Sequence, residues 1–183
     1  MTMDNGASFY ADYLNGDDEG FYRIVREYYD GLTMYVYGIV GDFFRAEEVA
    51  DDTLLKLSVK KPPFRGASSF RTWLYSIGKK TAIDSLRRSG PVHTGEGLDE
   101  NTPSDSDPEN DYIKDERNRQ LYKALGKLDP EYREVLYLSF FEDMSADDIA
   151  VVMRKKRNYV YQIVFRAKKA LKDELEKEGF VYD

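Results

Sequence analysis

The sequence predicts an all-α protein: two small helical domains joined by a flexible acidic linker, the second with a helix-turn-helix. Three observations predict it. Apolar residues recur at helical spacing along most of the chain, and no stretch alternates as a strand would. Residues 91–111, rich in Gly, Pro, Ser, Asp and Asn, contain almost nothing to bury. The chain carries a formal net charge of −7, yet its cations gather in two zones, 60–88 and 154–172.

Composition narrows the chemistry. A chain of 183 residues suits one large domain or two small ones. Cysteine is absent, which rules out disulfides and thiolate chemistry and fits a cytoplasmic protein. The only histidine, His93, lies in a polar Gly/Pro-rich stretch, so His-based metal sites and general bases are not expected. There is neither an apolar run long enough for a membrane span nor a signal-peptide pattern. No enzyme, catalytic residue, metal or cofactor is expected, and no membrane insertion.

The elements follow in order. Residues 1–18 are polar and acidic and are expected to fray as a tail. A first domain over 19–90 begins with helical spacing through Phe21, Ile24, Val25, Tyr28, Leu32, Tyr35, Val36 and Ile39, with Asp30-Gly31 as an expected break. Phe44 to Lys60 reads as an amphipathic helix: Ala46, Ala50, Thr53 and Leu57 share one side, Glu47, Glu48, Asp51, Asp52 and Leu55 the other. Pro62 and Pro63 stop it. A helix from about Ser68 to Arg88 follows, with Phe70, Trp73, Leu74 and Ile77 on one face and Ile83 and Leu86 elsewhere, as in a helix flanked on two sides.

After the linker, a second domain over 112–183 is expected. A helix runs from about Asp111 to Lys127. Asp129 caps the next, with Pro130 at its first position. Ser145 and Asp148 form a capping box for a short helix, Ala146 to Met153. A basic turn leads to a last helix from about Arg157 to Glu178.

Three constellations carry the functional reading. Between Arg154 and Lys172 stand eight Lys/Arg and no acid. A short helix, a tight turn and a longer basic helix make a helix-turn-helix whose second helix enters the major groove. On it, Asn158, Gln162 and Lys169 point away from the stripe Val160, Val164, Ala167, Leu171 and Leu175, with Tyr159, Tyr161 and Arg166 on the flanks. Such amide and cationic groups read adenine and guanine edges or grip phosphate. The bland alternative is a helical hairpin with a solvated basic face. Second, Lys60, Lys61, Phe64, Arg65, Phe70, Arg71, Trp73, Tyr75, Lys79, Lys80, Arg87 and Arg88 interleave rings with cations, a pattern suited to single-stranded nucleic acid. Phe70 and Trp73 read equally well as core. Third, the acidic face around Leu55 suits docking on a basic protein surface, or is simply solvated.

Taken in order, these residues resemble the sigma-70 family of bacterial RNA polymerase sigma factors, in particular the small extracytoplasmic-function (ECF) group. The resemblance covers about residues 10–178. Tyr28-Tyr29-Asp30 through Gly41-Asp42, then Ala46-Glu47-Glu48-Val49, resemble its first helices. Phe70-Arg71-Thr72-Trp73-Leu74-Tyr75-Ser76-Ile77, with Asp84 and Arg87-Arg88, are similar to its promoter-melting helix. Leu128-Asp129-Pro130 through Arg133-Glu134-Val135-Leu136, then Asp147-Asp148-Ile149-Ala150, Val160, Arg166-Ala167 and Leu171, resemble its second domain. Arg154 stands where glycine is usual, and Lys156 where a capping serine is usual.

The resemblance implies a transcription-initiation factor that brings core polymerase to promoter DNA. By position, Glu47, Glu48, Asp51, Asp52 and Leu55 would dock on the β′ clamp helices, and the resemblance also implies the β flap as a partner, with no residues assigned to it. Lys60, Lys61, Phe64, Arg65, Ser68, Ser69, Phe70, Arg71, Trp73, Lys79, Lys80, Arg87 and Arg88 would meet the −10 element, the loop from Lys61 to Ser69 catching a flipped base. Lys155, Lys156, Arg157, Asn158, Tyr159, Tyr161, Gln162, Arg166 and Lys169 would read the −35 duplex. The family makes an anti-sigma partner plausible. A stand-alone helix-turn-helix regulator is the main rival, and an adaptor without a nucleic-acid role a second. A regulator has no need for the ring-and-cation loop or the acidic face, and an adaptor would keep its activity after substitution of Gln162 and Arg166.

Overall fold

A computed structural model describes residues 5–89 and 120–180, apart from residue 122. The described residues are helical, joined by short turns. Four helices form a first unit: α1 (Gly6–Leu14), α2 (Asp18–Val40), α3 (Phe43–Lys60) and α4 (Phe70–Ser89). The second holds a helical stretch at 123–127, then α5 (Pro130–Phe140), α6 (Ala146–Met153) and α7 (Arg157–Lys177). The expected linker at 91–111, and most of the helix expected from Asp111, lie outside the described residues.

Local chemistry sets the helix ends. Asp17 caps α2 by accepting from the Glu19 amide, and Asp42 caps α3 by accepting from the Arg45 amide. Asp129 does the same for α5 through Glu131, with Pro130 at the first position. Ser145 caps α6 by accepting from the Asp148 amide.

Two expectations change. The acidic N-terminal stretch does not fray over 6–14. It forms α1, because Tyr10 is buried against Phe70 and Trp73 and outweighs the polar residues around it. Asp30-Gly31 does not break α2, which runs unbroken from Asp18 to Val40. Gly31 instead makes room for the Tyr75 hydroxyl of α4 and for Glu142 of the second unit. A Cβ at Gly31 would sit 2.5 Å from the Tyr75 hydroxyl and 2.8 Å from Glu142 Oε1.

Ile24, Tyr28, Leu32 and Val36 of α2 meet Ala50, Leu54 and Leu57 of α3 and Leu74 of α4 in the buried core of the first unit. Val135 and Leu138 of α5, Ile149 and Val152 of α6, and Val160, Ile163 and Ala167 of α7 continue the same buried cluster into the second. The last helix is tied to the 123–127 stretch by its C-terminal end. Hydrogen bonds from Lys123 and Lys127 hold the Glu178 carboxyl down at about 2.

The two units touch, with α2 against α5 and α4 against α6. Helix α4 is flanked on several sides, by α2 and α3 within its own unit and by α6 beyond it. The junction joins a ring pair, Tyr35 with Tyr137 at 6.1 Å, to specific polar contacts. Lys79 Nζ donates to Glu134 Oε1 at 2.7 Å, and the Tyr35 hydroxyl donates to the same oxygen at 2.8 Å. Arg71 Nη1 meets Glu142 Oε2 at 3.1 Å. Thr72 Oγ1 donates to Asp148 Oδ1 at 2.9 Å, and the Tyr137 hydroxyl to the Gly31 carbonyl at 3.0 Å. Burial, followed by the charge of Glu134, raises the Tyr35 hydroxyl well above its ordinary pKa, so it stays a donor. Burial and then Glu142 do the same for Tyr75.

Candidate nucleic-acid interface

The turn between α6 and α7 is built without the usual small residues. Arg154 takes the left-handed conformation at φ 54°, which costs a residue with a Cβ about 1–2 kcal/mol. The Lys155 amide closes the turn on the Ala150 carbonyl at 3.0 Å. Lys156 occupies the cap of α7 and offers no side-chain bond to it, so the first amides of α7 are left without a side-chain cap from that residue. The N-terminus of α7 and four cations in a row, Arg154 to Arg157, gather positive charge at this corner, with Lys155 paired to Glu131 and Arg157 to Asp147.

The outer face of α7 is open. Asn158, Tyr161, Gln162, Arg166 and Lys169 are exposed, while Val160, Ile163 and Ala167 are buried beneath them. Phe165 was not singled out by sequence reasoning, yet it is 73% exposed in the middle of this face. Its spacing of seven from Asn158 was the available signal. An apolar ring there suits contact with a thymine methyl.

Several side chains on this face are held in place. The Tyr159 hydroxyl donates to Glu131 Oε2 at 2.8 Å, and Lys155 pairs with Glu131 at 3.0 Å. Burial pushes the Glu131 carboxyl up, but the bonds from Lys155 and Tyr159 outweigh it and hold the group below its usual range. Arg157 lies 3.3 Å from Asp147 and donates to the Tyr161 hydroxyl at 3.1 Å. Tyr159 is therefore half-buried and anchors the helix to α5.

The first unit divides its candidates three ways. Lys60, Lys61, Arg65, Ser69, Lys80, Arg87 and Arg88 are exposed, and Ser68 is half-buried. Phe70 is core, 1% exposed beneath Tyr10, Tyr28, Phe64 and Trp73. Its ring has no open face in this structure, in keeping with the core reading that the sequence left open for it. Phe64 and Trp73 are half-buried, their rings 5.2 Å apart. Arg71 and Lys79 face the acids of α5 and of the turn after it rather than solvent. That occupation was invisible in the sequence, because the partners lie 55 and 71 positions away.

The acidic face of α3 is as expected. Glu48, Asp51, Asp52 and Leu55 are exposed, Leu55 at 57%, with Glu47 half-buried beside them. Among the described residues no group of His, Asp and Glu is placed to hold a metal ion, and no helix is long and apolar enough to cross a membrane.

Residues 24–91 match the family model for sigma-70 region 2, and residues 118–171 that for sigma-70 region 4. The RNA polymerase sigma factor YlaC of Bacillus subtilis is 30% identical over 159 residues, covering 84% of this chain and 91% of that protein. This chain belongs to the sigma-70 family, as an RNA polymerase sigma factor of the ECF group. The RNA polymerase sigma-H factor of Pseudomonas aeruginosa is 29% identical, covering 96% of each chain. The fold of the sigma factor is shared with CnrH, solved in complex with the cytosolic domain of CnrY, at a TM-score of 0.69 and 21% identity over 95% of this chain and 99% of that one. It is also shared with RpoE of Bartonella quintana, solved with the anti-sigma factor NepR, at a TM-score of 0.68 and 20% identity over 85% and 96% of the two chains. The sigma factor acts in transcription initiation.

Proposed function

We propose that the open face of α7 reads the −35 duplex, that the loop from Lys61 to Ser69 and the exposed cations of α4 engage the −10 element, and that the acidic face of α3 docks on the β′ clamp helices of core polymerase. The observation that carries this reading is the outer face of α7: Asn158, Gln162, Phe165 and Arg166 all face solvent, immediately after a turn of four cations. A helical hairpin that merely packed would have no use for that arrangement. The protein works without catalysis of its own, in the cytoplasm, as a specificity subunit.

The junction between units bears on how it works. Arg71 and Lys79, assigned to −10 contacts, are held by Glu142 and Glu134. DNA phosphate and these carboxylates compete for the same cations, so promoter engagement requires the units to part. A net charge of −7 adds to the disadvantage of the free chain on DNA. An anti-sigma partner that held the closed arrangement would keep the factor silent; CnrH and RpoE were solved with partners named in those terms or with a cytosolic domain bound.

The test is run-off transcription by core polymerase plus this chain, with the transcripts sequenced to find the promoters used. Specific initiation that depends on the chain supports the reading; a stand-alone regulator would give none. Glu48→Lys with Asp52→Lys should reduce recovery of core polymerase at least tenfold, since opposite charges become like charges at a docking surface. Both side chains are exposed, so the helical content should be unchanged. Undiminished recovery would remove α3 from the docking assignment.

A further inference from the structure

The loop from Lys61 to Ser69 begins where α3 runs into two prolines. A helix end leaves its last carbonyls without partners. The Lys61 amide still reaches the Leu57 carbonyl at 3.2 Å. The next bond in the series would run from residue 62 to the Ser58 carbonyl, but Pro62 has no N–H to give. The Tyr13 hydroxyl takes that place, donating to the Ser58 carbonyl at 3.1 Å. The Tyr10 hydroxyl donates to the carbonyl of Pro62 itself at 2.8 Å. Both tyrosines belong to α1, which precedes the residues matched to region 2.

The same helix holds the loop by its rings. Lys61 Nζ lies 4.5 Å from the centre of the Tyr13 ring. Tyr10 packs on Phe70 and Trp73, and Phe64 of the loop closes on those same two rings. At the far end, the Thr72 amide donates to Ser69 Oγ at 3.1 Å. The loop is thus pinned at its entrance, at Phe64 and at its exit, while Arg65, Gly66 and Ala67 between are exposed. Burial, and then the neighbouring Tyr13, push the Tyr10 hydroxyl up to about 12, so it remains a donor at any working pH. The seat of α1 is close: a Cβ on Gly20 would come within 2.3 Å of the Phe9 carbonyl oxygen.

We infer that Tyr10 and Tyr13 are positioning residues for promoter recognition: Tyr13 replaces the one hydrogen bond that Pro62 cannot donate, Tyr10 holds the Pro62 carbonyl, and together they fix the loop in the shape that selects a −10 base. The inference rests on the proposal that this loop captures an unpaired base. Without the two hydroxyls, the loop entrance keeps its rings but loses its anchors, and a loose entrance discriminates less.

The experiment uses the full chain with core polymerase and a promoter identified by transcript sequencing, supplied pre-melted across the −10 element. Four versions carry each base at the captured position. Initiation from the preferred base over the others is the readout. Tyr10→Phe with Tyr13→Phe should reduce that preference about fivefold, with core binding unchanged and the thermal midpoint lowered by only about 2–8 °C, the cost of two hydrogen bonds. Tyr13→Phe alone, on a half-buried side chain, should give part of the loss and guards against a folding defect. Arg65→Ala with Ser68→Ala serves as the loop control. Full preference in the double phenylalanine variant, with loss in the loop control, overturns the positioning role alone. Full preference in both overturns the capture reading and the inference with it. A purely structural role would lower the thermal midpoint and leave the preference intact, which also overturns it.

Discussion

Glu134→Lys together with Glu142→Lys should open the chain. Each carboxylate meets a cation of the first unit, Lys79 at 2.7 Å and Arg71 at 3.1 Å, with both acids largely buried. Hydrogen bonds to charged groups contribute about 1.5–3 kcal/mol each, and reversal turns both attractions into repulsions. A loss of about 3 kcal/mol shifts the closed-to-open ratio roughly a hundredfold. Small-angle scattering should then report a larger radius of gyration with helical content preserved. Reversal also makes the chain more basic, which by itself favours DNA. Gly31→Ala removes that ambiguity. It changes no charge and improves helix propensity by roughly 1 kcal/mol, yet its methyl group would press on Tyr75 and Glu142 at the junction. Both variants should expand the chain and strengthen binding of a −10 single strand by about tenfold or more. An unchanged radius in both would mean that these contacts do not hold the units together.

Gln162→Ala with Arg166→Ala should remove −35 readout. A good contact to a base edge is worth about 1–3 kcal/mol of discrimination, so two together amount to roughly a hundredfold in initiation from a −35-dependent promoter. Both side chains are exposed on α7, and the buried residues Val160, Ile163 and Ala167 are untouched. Alanine also favours the helix. Run-off transcription should fall while recovery of core polymerase and the thermal midpoint stay level. Equal initiation from matched and scrambled −35 sequences in the unmodified chain, or no loss in the variant, would take α7 out of promoter reading. An adaptor without a nucleic-acid role predicts that second result.

Legibility followed the range of the interaction. Helix caps at Asp129 and Ser145, the proline stop after α3 and the two faces of α3 depend on residues a few positions apart, and each was readable. The exposed face of α7 was readable for the same reason, since periodicity alone separates Gln162 from Val160 and Ala167. Phe165 was passed over because an apolar residue on a helix suggests core. Helix α1 was missed because its two tyrosines bind carbonyls about fifty positions away, at Ser58 and Pro62. Gly31 was misread as a breaker because only the neighbour it admits explains it.

Amino-acid order alone determined the all-helical architecture, the helix-turn-helix and the family to which this sigma factor belongs, because local propensity, periodicity and motif spacing are properties of neighbouring residues. Tertiary structure alone decided which −10 candidates are available: Phe70 is enclosed by rings from three segments, and Arg71 and Lys79 are held by Glu142 and Glu134. The reason is physical. A cation's availability depends on the nearest opposite charge in space, and folding, rather than sequence distance, brought those carboxylates within 3.1 Å.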